Sequence, residues 1–209
     1  MSRGDAFRRL GADQRGASAA EFALVLPLLL LFLFGIIDIG RLFYSVNQAE
    51  KATQMGARFA IVTDTIPPKV ANADYVGAVA CDADNNGVYE ACAKGGFIKD
   101  PNALAPVSCS STGCTPSSTT MNTGAFTRLV ARMQAFDPSI AATNVTVSFR
   151  GSGLGYAGDP TGMDVIPLVT VEVANIQFRP IMTLSLAKFT LPASRTTLSA
   201  ESSAGTQSN

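Results

Sequence analysis

The chain has 209 residues, with 16 basic and 16 acidic side chains and no histidine. The balanced charge provides no general attraction to nucleic acid or to anionic surfaces. Histidine is the commonest general base at neutral pH, and no paired base stands beside the loop serines, so the composition disfavours catalysis.

The first predicted element is an apolar helix long enough to cross a membrane. No charged residue occurs from Phe22 to Ile37. With the small residues before this run and the apolar ones after it, the helix exceeds the roughly 30 Å of a bilayer core. A buried core helix is the alternative, but such a helix usually keeps a polar face. Pro27 does not exclude a spanning helix, because prolines in membrane helices find compensating partners.

The charges before this helix indicate its orientation. Basic residues outnumber acidic ones there: Arg3, Arg8, Arg9 and Arg15 against Asp5 and Asp13. Basic flanks stay in the cytoplasm, so we expect the N-terminus inside the cell and most of the chain outside. No cleavage pattern of a secretory signal follows Ile37, so we expect the helix to remain on the mature protein.

The residues at the start of the helix resemble a type IV prepilin. A basic leader is followed by Gly16, four small residues, Glu21, Phe22 and the apolar run. The continuation is similar to the TadE-like pseudopilins of tight-adherence (Tad, or Flp) pilus systems. The similar stretches are Glu21-Phe22-Ala23-Leu24-Val25-Leu26-Pro27-Leu28-Leu29, Phe34-Gly35-Ile36-Ile37-Asp38-Ile39-Gly40-Arg41 and Gly56-Ala57-Arg58-Phe59-Ala60.

This resemblance implies a minor pilin that a prepilin peptidase cuts between Gly16 and Ala17. Glu21 then becomes the fifth mature residue and sets subunit register, because its carboxylate can meet the new α-ammonium of Ala17 in low dielectric. The alternative is an interfacial glutamate whose carboxylate reaches the lipid headgroups. Phe22 stands where related pilins often have tyrosine, and it keeps the apolar packing.

The implied partners are the bacterial inner membrane, the peptidase, other pilins and the Tad-type assembly machinery, with no nucleic acid. The expected fold is α+β, with a long transmembrane helix continuing into a small periplasmic head that contains an antiparallel sheet and one further helix. We expect a cytoplasmic leader at 1–16, the helix at 17–62, the head at 63–198 and a flexible tail at 199–209. The chain would be a single-pass membrane protein that can enter an extracellular pilus.

Beyond the apolar run, Asp38 and Arg41 share a helical face and can form an ion pair. A seam of small residues then predicts close packing of the helix, and it comprises Val46, Ala49, Thr53, Gly56 and Ala60. Proline residues at positions 67 and 68 end the helix.

The head has weaker periodic signals. Apolar spacing predicts an amphipathic helix at Thr123–Phe136, with Asn122 or Thr123 as its cap. Alternation predicts strands around Val145–Phe149 and Val169–Val173, separated by a Gly-rich connection at 151–164. Residues 75–80 are expected to form a short strand, and residues 181–191 are the last strand candidate.

Four cysteines lie on the outer side of the expected membrane, at Cys81, Cys92, Cys109 and Cys114. An even count in an oxidising compartment predicts two disulfides. Three pairings are open, and we favour Cys81–Cys92 with Cys109–Cys114, because each closes a short local loop. Free thiols or zinc are the alternatives, but Cys-x-x-Cys and histidine are both missing.

Between the first two cysteines, acids and amides occur in the pattern that begins a calcium loop. The candidate calcium ligands are Asp82, Asp84, Asn86 and Glu90; otherwise no cofactor is required. The alternative is a solvated hairpin turn in which Asn86-Gly87 supplies positive φ angles.

Three functions remain after these observations. The favoured one is a minor pilin or pseudopilin that acts in filament assembly and surface adhesion. The second is a membrane-anchored periplasmic binding module that does not polymerise, and the third is an extracytoplasmic enzyme.

Overall fold

The computed structural model describes residues 15–160, 162–180 and 188–200. The chain divides into two units. The smaller unit comprises Met1–Tyr44 with Phe178–Phe189, and the larger comprises Ser45–Gln177 with Thr190–Asn209. The predicted leader and tail therefore lie largely outside the described residues, at 1–14 and 201–209.

Helix α1, Arg15–Val62, runs without a break through 48 residues and contains Pro27. The part in the smaller unit exposes nearly all of its apolar side chains; Leu24 is 80% exposed and Phe32 is 70% exposed. Residues 22–44 span roughly 35 Å at the usual helical rise. The fold class is α+β, as predicted, with a long apolar helix preceding an antiparallel sheet and another helix.

The part of α1 in the larger unit buries a seam of small residues. Ala49, Thr53, Gly56 and Ala60 are buried as predicted, whereas Val46 is partly exposed. A Cβ placed on Gly56 would lie 2.8 Å from both Cγ and Sδ of Met133. Glycine at this position therefore allows α1 to lie close to the helix Thr123–Gln134, which carries Met133.

Two more helices follow: α2 at Pro68–Ala71 and α3 at Thr123–Gln134. Helix α3 begins where predicted, because the Asn122 side chain accepts a hydrogen bond from the Ala125 N–H at 3.0 Å. Such caps typically contribute about 1 kcal/mol. The buried face of α3 consists of Ala125, Phe126, Leu129, Val130 and Met133.

A five-stranded antiparallel sheet forms the other half of the core, in the order β4-β3-β5-β6-β9. Its central pair, β5 and β6, places valine opposite valine, with Val145 facing Val173 and Val147 facing Val171. These four side chains are almost completely buried. The strands are β3 (Val107–Ser110), β4 (Gly113–Thr115), β5 (Val145–Gly155), β6 (Val165–Val173) and β9 (Ser194–Ser199).

Four short strands lie outside this sheet. Strand β1, Val79–Cys81, pairs with β2, Glu90–Ala91, so the predicted strand at 75–80 is shorter and begins later. Strand β7, Gln177–Phe178, neighbours β8, Phe189–Thr190. Most of the strand predicted at 181–191 falls on residues 181–187, which lie outside the described residues.

The Gly-rich connection predicted at 151–164 is partly wrong, because β5 continues as a strand to Gly155. Its glycines lie where other backbone segments cross the strand. A Cβ on Gly151 would collide with the carbonyl oxygen of Pro101, and one on Gly155 would collide with that of Asp164. The register of the β5–β6 pair shifts between Gly151 and Gly155, as at a β-bulge.

The flexible tail expected at 199–209 was placed too early in the chain. Strand β9 was not predicted, yet it extends to Ser199, and Ala200 is buried. Leu198 is the one apolar residue of this strand, and the face that carries it is only half-buried, so the sequence showed no alternation of apolar and polar residues there.

We predict that Gly155→Ala destabilises the protein far more than Gly56→Ala. At Gly155 the added Cβ would meet backbone atoms that cannot move aside. We therefore expect Gly155→Ala to lower the free energy of unfolding by about 1–3 kcal/mol or more. At Gly56 the obstacle is a flexible methionine, and alanine recovers about 1 kcal/mol of helix propensity. Chemical unfolding of the full chain in mild detergent measures both, and equal stabilities of the two variants would contradict the prediction.

Candidate functional site

The residues implicated in processing and assembly lie on the first turns of α1. Gly16, Glu21 and Phe22 are all exposed, and no atom lies within 4 Å of a Cβ placed on Gly16. Ala17 lies in the same helix, four residues before Glu21, so the two positions share one helical face. The structure therefore leaves both Gly16 and Glu21 exposed.

Within the described ranges, one helix is long and apolar enough to cross a membrane. Its most apolar stretch is almost entirely uncovered by the rest of the chain. The core-helix alternative predicts a buried helix, and the exposure of Leu24 and Phe32 contradicts it. The helix fits a membrane anchor.

The predicted ion pair at the end of the apolar run is present. Arg41 Nη1 lies 3.5 Å from Asp38 Oδ1, and Asp38 is buried. The Arg41 guanidinium also lies over the ring of Phe178, 5.6 Å from its centroid. Sequence reasoning missed Phe178, because a contact between positions so distant in the chain leaves no local pattern.

The larger unit carries both favoured disulfides. Cys81 is bonded to Cys92 with a Cα–Cα distance of 5.1 Å, and Cys109 to Cys114 with a Cα–Cα distance of 4.0 Å. The second bond joins residues that face each other across the β3–β4 hairpin. Each bond closes a short loop and so restricts the unfolded chain.

Three of the four candidate calcium ligands accept hydrogen bonds from backbone N–H groups of this loop: Asp82, Asn86 and Glu90. Asp82 is buried and uses both carboxylate oxygens within the loop, accepting from the Asn86 N–H and the Gly87 N–H at 3.0 Å each. Glu90 accepts from the Ala83 N–H instead. Asp84 is exposed. Among the described residues, no group of three or more acidic, cysteine or histidine side chains is arranged to hold a metal ion.

The hairpin alternative is right about Gly87, which has a positive φ of 82°. The other positive φ angle, 54°, belongs to Asn85 and not to the expected Asn86. Although burial alone would raise the pKa of Asp82, its hydrogen bonds from Gly87 and Asn86 and the charge of Lys99 lower that pKa overall. Calcium binding by Asp82, Asp84, Asn86 and Glu90 stays a prediction.

Asp164 is another buried acid, and sequence reasoning missed it. Its carboxylate accepts hydrogen bonds from the Tyr75, Gly158 and Asp159 N–H groups at 2.8, 2.9 and 3.1 Å. It thereby ties the segment before β1 to the segment before β6. A single aspartate before a strand gives no sequence signal for this role.

The described part of the chain contains an exposed apolar helix and a disulfide-bonded α+β unit. The helix fits a single membrane anchor. Residues 16–58 match the family model described as TadE-like protein, which covers most of α1 and ends before the sheet. The match agrees with the resemblance of residues 15–60 and points to a Tad pilus-associated pilin, a structural class. No curated protein and no solved structure gave a match.

We predict that Asp82→Asn lowers the melting temperature at neutral pH, while Asp84→Asn leaves it nearly unchanged. The lowered pKa of Asp82 means that its ionised form stabilises the fold above the ordinary value of 3.8, and that this contribution is lost as the pH falls through the lower folded value. The difference between wild type and Asp82→Asn should therefore shrink in acid. Melting curves of the full chain across pH test this, and a difference independent of pH would contradict it.

The same melting curves distinguish the calcium alternative from the hairpin. If calcium binds, excess calcium raises the wild-type melting temperature relative to a chelator, and Asp84→Asn reduces that rise. An unchanged wild-type melting temperature would exclude a calcium site in this loop.

Proposed function

We propose that the chain is a minor pilin of a Tad-type secretion system, processed by a prepilin peptidase and acting in filament assembly. The observation that supports this most is the joint occurrence of a TadE-like segment at 16–58 and an uncovered apolar helix in the same residues. The apolar surface calls for lipid before assembly and for neighbouring helices in a filament.

Removal of residues 1–16 would create a new charged amine at Ala17. Glu21, four residues on, lies on the same helical face and is exposed. In a low-dielectric environment an unpaired carboxylate is strongly penalised, so Glu21 would favour subunit positions that place an ammonium beside it. This gives the register role a physical basis.

The larger unit would face the periplasm, an oxidising compartment, which agrees with its two disulfides. Its surface also bears exposed Phe97 and Tyr156, whose ring centroids are 4.6 Å apart. This aromatic pair favours the second candidate, a membrane-anchored binding module that does not polymerise, as well as an adhesive role in a pilus.

If a prepilin peptidase processes the chain, co-expression with that peptidase should remove residues 1–16 from the wild-type protein. Gly16→Leu should retain the full mass, because a side chain there obstructs the peptidase while open space around Gly16 keeps the helix intact. Gly40→Leu is the matched control, since Gly40 is also an exposed glycine of α1 with open space around it. Intact-mass spectrometry of membrane extracts measures all three.

A wild-type chain that keeps its full mass beside an active peptidase would contradict processing and favour the binding module. Cleavage of Gly16→Leu at the wild-type rate would show that Gly16 is not the recognised residue.

If Glu21 sets subunit register, Glu21→Gln should be cleaved normally but should enter the filament at least about ten-fold less than wild type. The reason is that the variant leaves a partner ammonium unpaired in low dielectric. Glu50→Gln is the control, since Glu50 is an exposed acid farther along the same helix. The measurement compares the sheared filament fraction with the membrane fraction. Equal incorporation of the two variants would contradict the role of Glu21.

A further inference from the structure

A small cavity in the larger unit is lined by residues that follow α1 in the chain. Its volume is about 150 Å³. Val70, Leu104 and Val107 form its buried apolar walls, and Lys69 and Ala105 are exposed at its rim. Tyr75 and Thr119 are the other buried residues that line it.

Thr119 is one of the residues that line this cavity, and its hydroxyl is unsatisfied. Thr119 is 6% exposed, and its Oγ1 has no hydrogen-bond partner among the residues that the structure describes. A buried hydroxyl without a partner is unfavourable, and such groups are rare in folded proteins. Its N–H is bonded to the Pro116 carbonyl, which fixes the residue in place.

The other polar groups define which ligand would fit. The Tyr75 hydroxyl already donates to the Ala103 carbonyl at 3.2 Å and keeps an oxygen that can accept. Burial, and then the charge of Asp164, raise the pKa of Tyr75, so its phenol stays protonated at neutral pH. Lys69 supplies a positive charge at the open side.

The volume of the cavity limits its ligand to about one aromatic ring. An apolar cavity of about 150 Å³ can accommodate a molecule of the size of benzene. A ring with a hydroxyl would fill the space between the apolar walls and give Thr119 a hydrogen-bond partner, and a carboxylate on the ring would complement the charge of Lys69.

We propose that this cavity binds a small hydroxyaromatic acid, with the ring between Val70, Leu104 and Val107, the hydroxyl bonded to Thr119 and the carboxylate near Lys69. The binding site is independent of processing and assembly, because none of these residues lies on α1. The Thr119 hydroxyl selects for a ring that carries a hydrogen-bonding oxygen, and Lys69 selects for negative charge.

The test uses the full chain in detergent micelles and 4-hydroxybenzoate as the probe, with binding followed by ligand-observed NMR and by the melting temperature. Wild type should bind and melt higher with the probe. Thr119→Val removes the hydroxyl at nearly constant shape and should weaken binding about five- to ten-fold. The exposed neighbour Thr120 provides the matched control, Thr120→Val, which should bind as wild type does.

Two further comparisons separate specific binding from partition into the micelle. Ala105→Leu fills the rim and should abolish binding, while its melting temperature without the probe reports that it is folded. Lys69→Gln should weaken binding of 4-hydroxybenzoate but not of uncharged 4-methylphenol. Equal signals from wild type, Thr119→Val and Ala105→Leu, or no binding by wild type, would overturn the proposal, as would an experimental structure in which a water alone satisfies Thr119 in the presence of the probe.

Discussion

The exposed apolar surface of α1 is the constraint on which the rest of this protein depends. From Phe22 to Tyr44 the helix presents leucine, isoleucine and phenylalanine side chains that no described part of the chain covers. Such a surface is larger than soluble monomers usually expose, and it fits a membrane anchor. The ion pair of Asp38 and Arg41 then occurs where the apolar run ends, and the second half of the helix carries small buried residues.

A different constraint applies to the larger unit, which has to hold together a core of its own. It is modest in size, and its core is made from one seam of α1, one face of α3 and one face of a sheet. The disulfides close loops at β1 and at the β3–β4 hairpin, where short strands provide little cooperative pairing. Asp82 and Asp164 add local rigidity, because each carboxylate satisfies several backbone N–H groups. Cross-links and buried carboxylates thus support a unit whose loops are long.

The sequence predicted those elements whose signals are local. Helix α3 followed from its apolar spacing and its asparagine cap, and the strands around Val147 and Val171 followed from alternation. Both disulfides followed from loop length. The predictions failed where the cause was a distant contact: Gly151 is glycine because the backbone of Pro101 crosses it, and Asp164 is buried because it binds the Tyr75 N–H. Strand β9 has one apolar residue, Leu198, and so gave no periodic signal.

The most direct test of the central claim is the depth of α1 in a bilayer. All four cysteines are in disulfides, so a single cysteine introduced at successive positions from 22 to 44 can carry a spin label without competition. In reconstituted vesicles, accessibility to oxygen relative to a water-soluble nickel complex should peak near Leu30 and fall towards Tyr44. Labels near Leu30 that are as accessible to the nickel complex as a label at exposed Thr120 would contradict a membrane-spanning helix.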